Sequence, residues 1–465
     1  MNKHSTPRLA GWFSAAFAAG ALLLAGNATA AIVGASGTSF TLVAKADYIS
    51  TPDGASLYNW GYALGSGTDC TQQTAAKMQY PGPTLIVEQG ATVTITLCNQ
   101  LPTKVSVIFP GQSGVTASGG SPGKIAMEAP PNGSVTYTFN ASNAGTYTYQ
   151  SGTQMQVQLE MGLIGAMVVR RSGAPKQAYG HAGTRFDREH LVVLSEIDPV
   201  WHEAVQLAVA ARSGTEGPDW IPSPALPPRN PLYWFINGRN APDTMSSDNA
   251  EHLPTQPYSA ILRMHPGERL LMRVVNAGRD LHPFHHHGNN TWTLAVDGRM
   301  LASGADTGPD LARSDNTLRM VPGQTVDAIY EWTGKGLGWD VYGLTCNNTL
   351  PATDAASCDA VYAAYATQVG VPVARLLHQD PSERGKPLPT VIPSALEMTF
   401  GDMYSGSPFL GSTGGVPVGT GRLGSGGAYF HMSHSHNERE IINNGVFPGG
   451  MMTMVVIEPW TVQID

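Results

Sequence analysis

Short runs of apolar or alternating residues recur along the chain, separated by glycine, proline, asparagine and aspartate. Runs of this kind, bounded by turn residues, predict β-strands. No long stretch shows the apolar period of an amphipathic helix. The pattern therefore predicts an all-β protein of antiparallel β-sandwiches. The predicted strands cover residues 39–46, 84–97, 134–139, 145–149, 162–170, 190–194, 234–237, 258–276, 291–296, 316–332, 417–430 and 451–457.

The strand pattern repeats weakly within the chain. The run at residues 84–97 resembles the run at residues 260–273, and each is followed further along by a similar strand–turn–strand ending. We therefore predict two sandwich domains, at residues 31–172 and 189–465, joined by a polar linker. The second domain carries an insertion at about residues 335–425, rich in glycine and proline, which is expected to lack a core of its own.

The composition agrees with short strands joined by loops. Charged residues make up 13% of the chain, against roughly 25% in an average soluble protein. The chain contains 53 glycines and 34 prolines, and its net charge is −8. This acidic balance disfavours nucleic acid and anionic membrane surfaces as partners.

The first thirty residues have the pattern of a signal peptide. Lys3 and Arg8 give a basic start, an apolar run follows at residues 15–25, and small residues surround Ala30. The apolar run is shorter than the roughly 20 residues that span a bilayer. We therefore expect cleavage after Ala30, a periplasmic or secreted protein, and no membrane span.

Export places the cysteines in an oxidising compartment, which favours disulfides. The chain has four cysteines, Cys70, Cys98, Cys346 and Cys358. Four cysteines allow three pairings, of which the order in the sequence favours Cys70–Cys98 and Cys346–Cys358. No closely spaced pair of the CxxC type suggests a thiolate metal site.

The fourteen histidines are unevenly distributed, and the first predicted domain contains none. Alternate side chains on a strand share a face, so His285 and His287 are expected to point the same way, as are His434 and His436. His282 lies at the start of the first of these strands. Neutral imidazole is a good ligand for copper, zinc, iron or nickel. Two such pairs in one domain favour a metal site.

These residues also carry a family resemblance. The His-Pro-x-His-x-His-Gly motif at residues 282–288 resembles the third copper-binding motif of multicopper oxidases, and His-Ser-His at residues 434–436 resembles the fourth. The Tyr-Pro-Gly-Pro-Thr motif at residues 80–84 and Phe-Ile-Asn-Gly at residues 235–238 match further family landmarks. The resemblance implies tandem cupredoxin-like Greek-key β-sandwiches with copper as the cofactor.

The resemblance also indicates which ligands are missing. The first family motif falls on Ile108 and Pro110, and the second falls on Gln150 and Gly152. Half of the eight histidines that hold the trinuclear copper cluster of the family are therefore replaced. Since the first domain has no histidine, a neighbouring copy of the chain could not supply them either.

The mononuclear type 1 copper site is predicted to be lost as well. Ser435 stands where the family has its cysteine ligand, and Glu440 stands in place of the second histidine. A blue copper site needs a cysteine thiolate, which a neutral hydroxyl does not replace. His282 is the one family ligand that remains there. Four-electron reduction of O₂ by the family mechanism is therefore not expected.

Three functions stay open at this point. In the first, His285, His287, His434 and His436, with His282 as a further candidate, bind copper for copper handling or a simplified copper-dependent oxidation. In the second, an atypical or partner-completed site makes the chain an active oxidoreductase. In the third, the chain is a metal-free periplasmic scaffold or assembly protein. Whether the chain is an enzyme stays open, as do a protein partner and the trimer that two-domain relatives suggest.

Overall fold

The computed structural model describes residues 32–73, 75–217, 219–222, 226–346, 355–387 and 429–464. Several predictions fall on other residues and lie outside this part of the chain. They are the signal peptide at residues 1–30, residues 347–354 and 388–425 of the insertion, and residues 417–428 of one predicted strand.

Alternating apolar residues form the strands of the first part of the chain. On the strand at Ser134–Asn140, for example, buried Val135, Tyr137 and Phe139 alternate with more exposed polar residues. The strands are β1 (Ala35–Ser36), β2 (Ser39–Ser50), β3 (Ser56–Leu64), β4 (Met78–Gln79), β5 (Leu85–Glu88), β6 (Thr92–Asn99), β7 (Thr116–Ser118), β8 (Ser121–Pro122), β9 (Met127–Glu128), β10 (Ser134–Asn140), β11 (Gly145–Gln150) and β12 (Ile164–Arg170).

The strands of the second part follow the same pattern. They are β13 (Arg188–Ile197), β14 (Tyr233–Ile236), β15 (Leu262–Met264), β16 (Arg269–Asn276), β17 (His282–His286), β18 (Thr291–Val296), β19 (Arg299–Met300), β20 (Arg313–Asp315), β21 (Thr317–Met320), β22 (Thr325–Glu331), β23 (Tyr429–Ser435) and β24 (Met452–Ile457). The α-helices are α1 (Met155–Gln158), α2 (Pro199–Ala210), α3 (Ala355–Val369) and α4 (Val373–Leu376).

Each part packs two sheets around an apolar core. In the first part, the sheet β1-β5-β12-β11 faces the sheet β4-β3-β2-β6-β10-β7. In the second part, β14-β13-β16-β22-β18-β19, with β20 beside β18, faces β15-β24-β23-β17-β21. The all-β sandwich prediction is confirmed. The sheets are mixed rather than purely antiparallel, because β2 runs parallel to β6 and β13 runs parallel to β16.

Strand β3 was not predicted, because Asn59 and Gly61 interrupt its apolar pattern. Position 61 has room for glycine but not for a larger residue. A Cβ atom at this position would lie 2.5 Å from the carbonyl oxygen of Gln79 on the neighbouring strand. The close approach of β3 and β4 therefore excludes any larger residue.

The described part of the insertion contains a helix that the pattern did not predict. Helix α3 is rich in alanine, which favours helices without producing a strong apolar period. Tyr362 on α3 and Leu376 on α4 are buried in the same core cluster as Trp332 of the second sandwich. The described part of the insertion therefore shares the core of that sandwich.

Two disulfides link the cysteines in the predicted pairs, Cys70–Cys98 and Cys346–Cys358. Helix α2 begins where the carboxylate of Asp198 accepts a hydrogen bond from the backbone N–H of Val200 at 2.9 Å. Within the described residues, no helix combines the length and the apolar character that a bilayer crossing needs.

A buried charge network joins the two sandwiches. Arg273 on β16 donates hydrogen bonds to Glu189 at 2.9 Å and to Thr146 of the first sandwich at 3.1 Å. Asp327 on β22 lies 3.5 Å from the same guanidinium group and accepts a hydrogen bond from Thr146. Arg170, at the end of β12, also pairs with Glu189. The ion pair of Arg170 with Glu189 and the hydrogen bonds of Thr146 thus cross the boundary between the sandwiches, whereas Arg273 pairs with Glu189 and Asp327 inside the second one.

We predict that Arg273→Met lowers the free energy of unfolding by about 3–5 kcal/mol, because it leaves the carboxylate of Asp327 buried without its partner charge and Glu189 with Arg170 alone. The matched control is Arg263→Met, since the side chain of Arg263 is 38% exposed where it pairs with Glu458. Its expected cost is below about 1 kcal/mol. Denaturant titration measures the free energy of unfolding of both variants. An equal decrease in the two variants would contradict the role assigned to Arg273.

Candidate metal centre

Two strands that lie far apart in the sequence bring the histidine pairs together. Strands β17 and β23 are antiparallel neighbours, and His285 is directly opposite His434. Two residues further along, the backbone N–H of His287 donates to the carbonyl of Met432 at 2.9 Å. Because the side chains of facing residues lie on the same side of a sheet, both pairs share one face.

The four imidazole rings form a compact cluster. The ring centroid of His285 lies 5.0 Å from that of His287, 5.4 Å from that of His434 and 4.9 Å from that of His436. Ring nitrogens of His285, His287 and His434 all lie within 4.8 Å of one another. Two imidazole nitrogens on one ion lie no more than about 4.2 Å apart, since each binds at about 2.0–2.1 Å. Small ring rotations therefore suffice to fit a metal ion.

Neighbouring groups orient two of these rings. Nδ1 of His434 lies 2.7 Å from the carbonyl oxygen of Ser435, which can only accept a hydrogen bond. Nδ1 of His285 lies 2.8 Å from the hydroxyl of Thr317, which itself donates to Asn316. Both rings therefore carry their proton on Nδ1 and keep the lone pair of Nε2 for a metal, the arrangement typical of ligating histidines.

The cluster favours neutral imidazoles. Burial and the neighbouring imidazoles lower the pKa of His285 to about 4. Burial also lowers the pKa of His287 and of His434. At neutral pH these rings are therefore uncharged, which is the form that binds transition metals.

Two nearby histidines are not members of the cluster. His286 lies on the opposite face of β17, where its Nε2 is 3.1 Å from the hydroxyl of Thr291. Burial lowers the pKa of His286 to about 3. His431 is buried on the inner side of β23, beside the ring of Trp332. Both belong to the sandwich interior.

His282 was predicted as a further candidate ligand, and its ring lies between two carboxylates, apart from the cluster. Its Nδ1 lies 2.8 Å from a carboxylate oxygen of Glu440, and its Nε2 lies 2.8 Å from a carboxylate oxygen of Glu196. A ring that donates from both nitrogens has no lone pair for a metal. The ring is fully buried, and the structure does not bring it into the histidine cluster.

The two carboxylates make His282 a cation. Burial alone would lower the pKa of His282, but the hydrogen bonds and charges of Glu196 and Glu440 raise it to about 9. Ser435 donates a hydrogen bond to the same oxygen of Glu440 at 2.6 Å. The three positions that the resemblance assigns to type 1 copper ligands, His282, Ser435 and Glu440, thus form an internal hydrogen-bonded group.

Glu196 is the functional residue that the sequence analysis missed. It is buried on β13, and it also accepts hydrogen bonds from the guanidinium of Arg229 and from the backbone N–H of Arg279. Glu160 of the first sandwich binds Arg229 as well. A signal was present in the sequence, because an acid within an apolar strand requires a buried partner.

The positions of the replaced ligands in the first sandwich hold no imidazole. Ile108 and Gln150 pair through their backbones, at 2.8 Å and 3.1 Å. A Cβ atom at Gly152 would lie 2.7 Å from the side chain of Ile108, so a larger residue there would collide with it. Pro110 and Gln150 instead line a cleft of about 390 Å³ together with Gln324 of the second sandwich.

Comparison with known proteins agrees with this architecture. One family model of multicopper oxidases matches residues 62–174, and a second matches residues 225–334, which include His282–His286 of β17. Residues 62–174 and 225–334 are multicopper oxidase domains. Multicopper oxidases bind copper, so the family supports the predicted cofactor.

Curated relatives within the superfamily match only over parts of their length. Copper resistance protein A of Escherichia coli is 30% identical over 155 residues, which are 32% of this chain and 24% of that protein. Laccase-25 of Oryza sativa subsp. japonica is 26% identical over 259 residues, which are 55% of this chain and 39% of that protein. The chain thus spans well under half of each relative's length.

Solved structures show the same fold. The Blue Copper Oxidase from Nitrosomonas europaea superposes with a TM-score of 0.51 at 15% identity, covering 90% of this chain and 85% of that one. Multicopper Oxidase mgLAC superposes with a TM-score of 0.50 at 17% identity, covering 93% and 88%. The prediction of cupredoxin-like sandwiches is therefore confirmed. At this level of identity, the structural similarity establishes the fold and not the activity.

The His282 cation makes the stability of this multicopper oxidase relative depend on pH. The folded-state pKa of His282, about 9, lies above the ordinary value of 6.5. Its stabilisation is therefore complete below pH 6.5 and is lost as the pH rises through 9. The full shift of the His282 pKa corresponds to roughly 3 kcal/mol in the free energy of unfolding, and both carboxylates contribute to it.

We expect Glu440→Gln to be most destabilising near pH 6.5, with the difference from the unchanged protein shrinking by about 1–2 kcal/mol towards pH 9. Denaturant titrations of copper-free protein across this range measure the effect. Glu438→Gln is the matched control, because Glu438 is exposed. A Glu440→Gln difference that stays constant with pH would contradict the ion pair.

Proposed function

We propose that the chain binds a single copper ion on the histidine cluster and carries or buffers copper outside the cytoplasm. His285, His287 and His434 would be the ligands, and His436 would complete the set. The observation that carries this proposal is the cluster itself, in which neutral, oriented imidazoles converge on one sheet face. A chain that had lost all use for copper would have little reason to keep these four side chains together.

The replaced positions argue for binding rather than for reduction of O₂. Ile108, Pro110, Gln150 and Gly152 occupy the four ligand positions of the first sandwich. The former type 1 position holds a cation between two carboxylates and no thiolate. Bound copper would supply a one-electron redox couple, whereas reduction of O₂ to water needs four electrons.

The exposure of the cluster suits the exchange of an ion. His285 is 8% exposed and lies deepest, His287 and His434 are half-buried, and His436 is exposed. An ion could therefore be taken up or released without opening the sandwich. The donor set alone would accept zinc or nickel as well, and membership of the family is what favours copper. The predicted signal peptide is consistent with copper handling in the periplasm or outside the cell.

We predict that purified protein loaded with Cu(II) retains about one copper per chain, with an electron paramagnetic resonance spectrum of tetragonal, nitrogen-ligated copper. The double variant His434→Ala/His436→Ala should lose both the copper and the spectrum. The matched control is His252→Ala, since His252 is a histidine outside the cluster whose side chain is 60% exposed. Mass spectrometry gives the copper content of all three proteins.

Other results would point to the other two functions. Two or more coppers per chain, a blue absorption band, or copper-dependent O₂ uptake would overturn the single-site proposal in favour of an oxidoreductase. Protein that retains no copper, zinc or nickel would favour a metal-free scaffold. A control variant that loses copper to the same extent would show that the loss does not report on the cluster.

A further inference from the structure

Three methionines lie beside the histidine cluster on the same sheet face. Strands β23 and β24 pair with Met432 opposite Met454 and with His434 opposite Met452. Met432, Met452 and Met454 are all half-buried, whereas the residues that follow each of them, Ser433, Thr453 and Val455, are buried on the other face. The alternation of both strands thus turns the three thioethers outward, towards the side that carries the imidazoles.

The register places these side chains in two adjacent rows across three strands. One row runs from His285 through His434 to Met452. The other runs from His287, whose backbone N–H bonds to Met432, on to Met454. Side chains that face each other across a sheet have Cβ atoms about 4.5–5.5 Å apart. Long, flexible methionine side chains at this spacing reach a common point.

Thioethers and imidazoles differ in the copper ion that they prefer. Thioether sulfur is a soft, neutral ligand that selects Cu(I), whereas imidazole also suits Cu(II). A sheet face that needed only apolar cover could use leucine or valine, which hold better-defined rotamers than methionine. Methionine instead occupies the three outward positions of β23 and β24 that lie next to the imidazoles. Met451, by contrast, is fully buried in the core and takes no part in this group.

We propose that Met432, Met452 and Met454 form a separate Cu(I) site next to the histidine cluster. This thioether site would allow the protein to accept reduced copper, while the imidazoles hold the oxidised ion. The inference extends the proposed copper handling, but it rests on its own set of donor atoms. No electron transfer between the two sites is required, because each binds the ion in the oxidation state in which it arrives.

The test uses the full mature chain with His434→Ala/His436→Ala as background, so that the histidine cluster does not obscure the result. Cu(I) affinity is measured without oxygen, by competition with a chromophoric Cu(I) chelator. Adding Met432→Leu, Met452→Leu and Met454→Leu should weaken Cu(I) binding at least about tenfold, because leucine keeps the bulk but removes the sulfur. The matched control replaces Met155, Met245 and Met300, which lie on other elements, by leucine and should retain Cu(I) binding.

A second measurement separates this inference from the proposed function. With the histidines intact, the three leucine substitutions should leave the Cu(II) content and its electron paramagnetic resonance spectrum unchanged. Cu(I) affinity that survives the three substitutions in the background variant would overturn the thioether site and leave the methionines as packing residues. A different outcome is that the unchanged protein binds no Cu(II), while the leucine substitutions still weaken Cu(I) binding in the background variant. That result would refute the histidine site and leave the thioether site standing.

Discussion

The pairing of β17 with β23 is the constraint on which the candidate site depends. It places His285 opposite His434, so that two short motifs from distant parts of the chain become one cluster. If one of the two strands shifted by one residue, its histidine pair would turn to the opposite face of the sheet. Core residues fix that register, since Phe284 of β17 and Tyr429 of β23 are fully buried in the core of the second sandwich.

A buried ionic group occupies the positions that the resemblance assigns to the type 1 copper ligands. His282 lies between Glu196 of β13 and Glu440, and Arg229 connects Glu196 to Glu160 of the first sandwich. These charges stabilise one another only as a complete set, because removing one partner leaves a buried charge unpaired. Copper at that position would have to displace two carboxylates from His282. If the proposed copper site exists, the chain keeps one half of a metal centre and uses the place of another as a structural link.

Much of this arrangement could be predicted from local sequence. The alternation of apolar and polar residues predicted most of the strands. Because the side chains of a strand repeat every two residues, it also predicted that His285 and His287 lie on one face. The role of Glu196 could not be derived in the same way, since its partner His282 is 86 residues away. Helix α3 was missed because its alanine-rich sequence has almost no apolar period. The role of Glu196 thus depends on contacts between strands that are far apart in the sequence, which a local pattern does not reveal.

X-ray absorption at the copper edge tests the central claim most directly, because it counts the imidazoles bound to the metal. For protein loaded with one equivalent of Cu(II), we predict three or four imidazole nitrogens at about 2.0 Å. No sulfur and no second copper should appear in the spectrum. One imidazole or none, or a copper–copper distance, would contradict the account of a single ion held by His285, His287, His434 and His436.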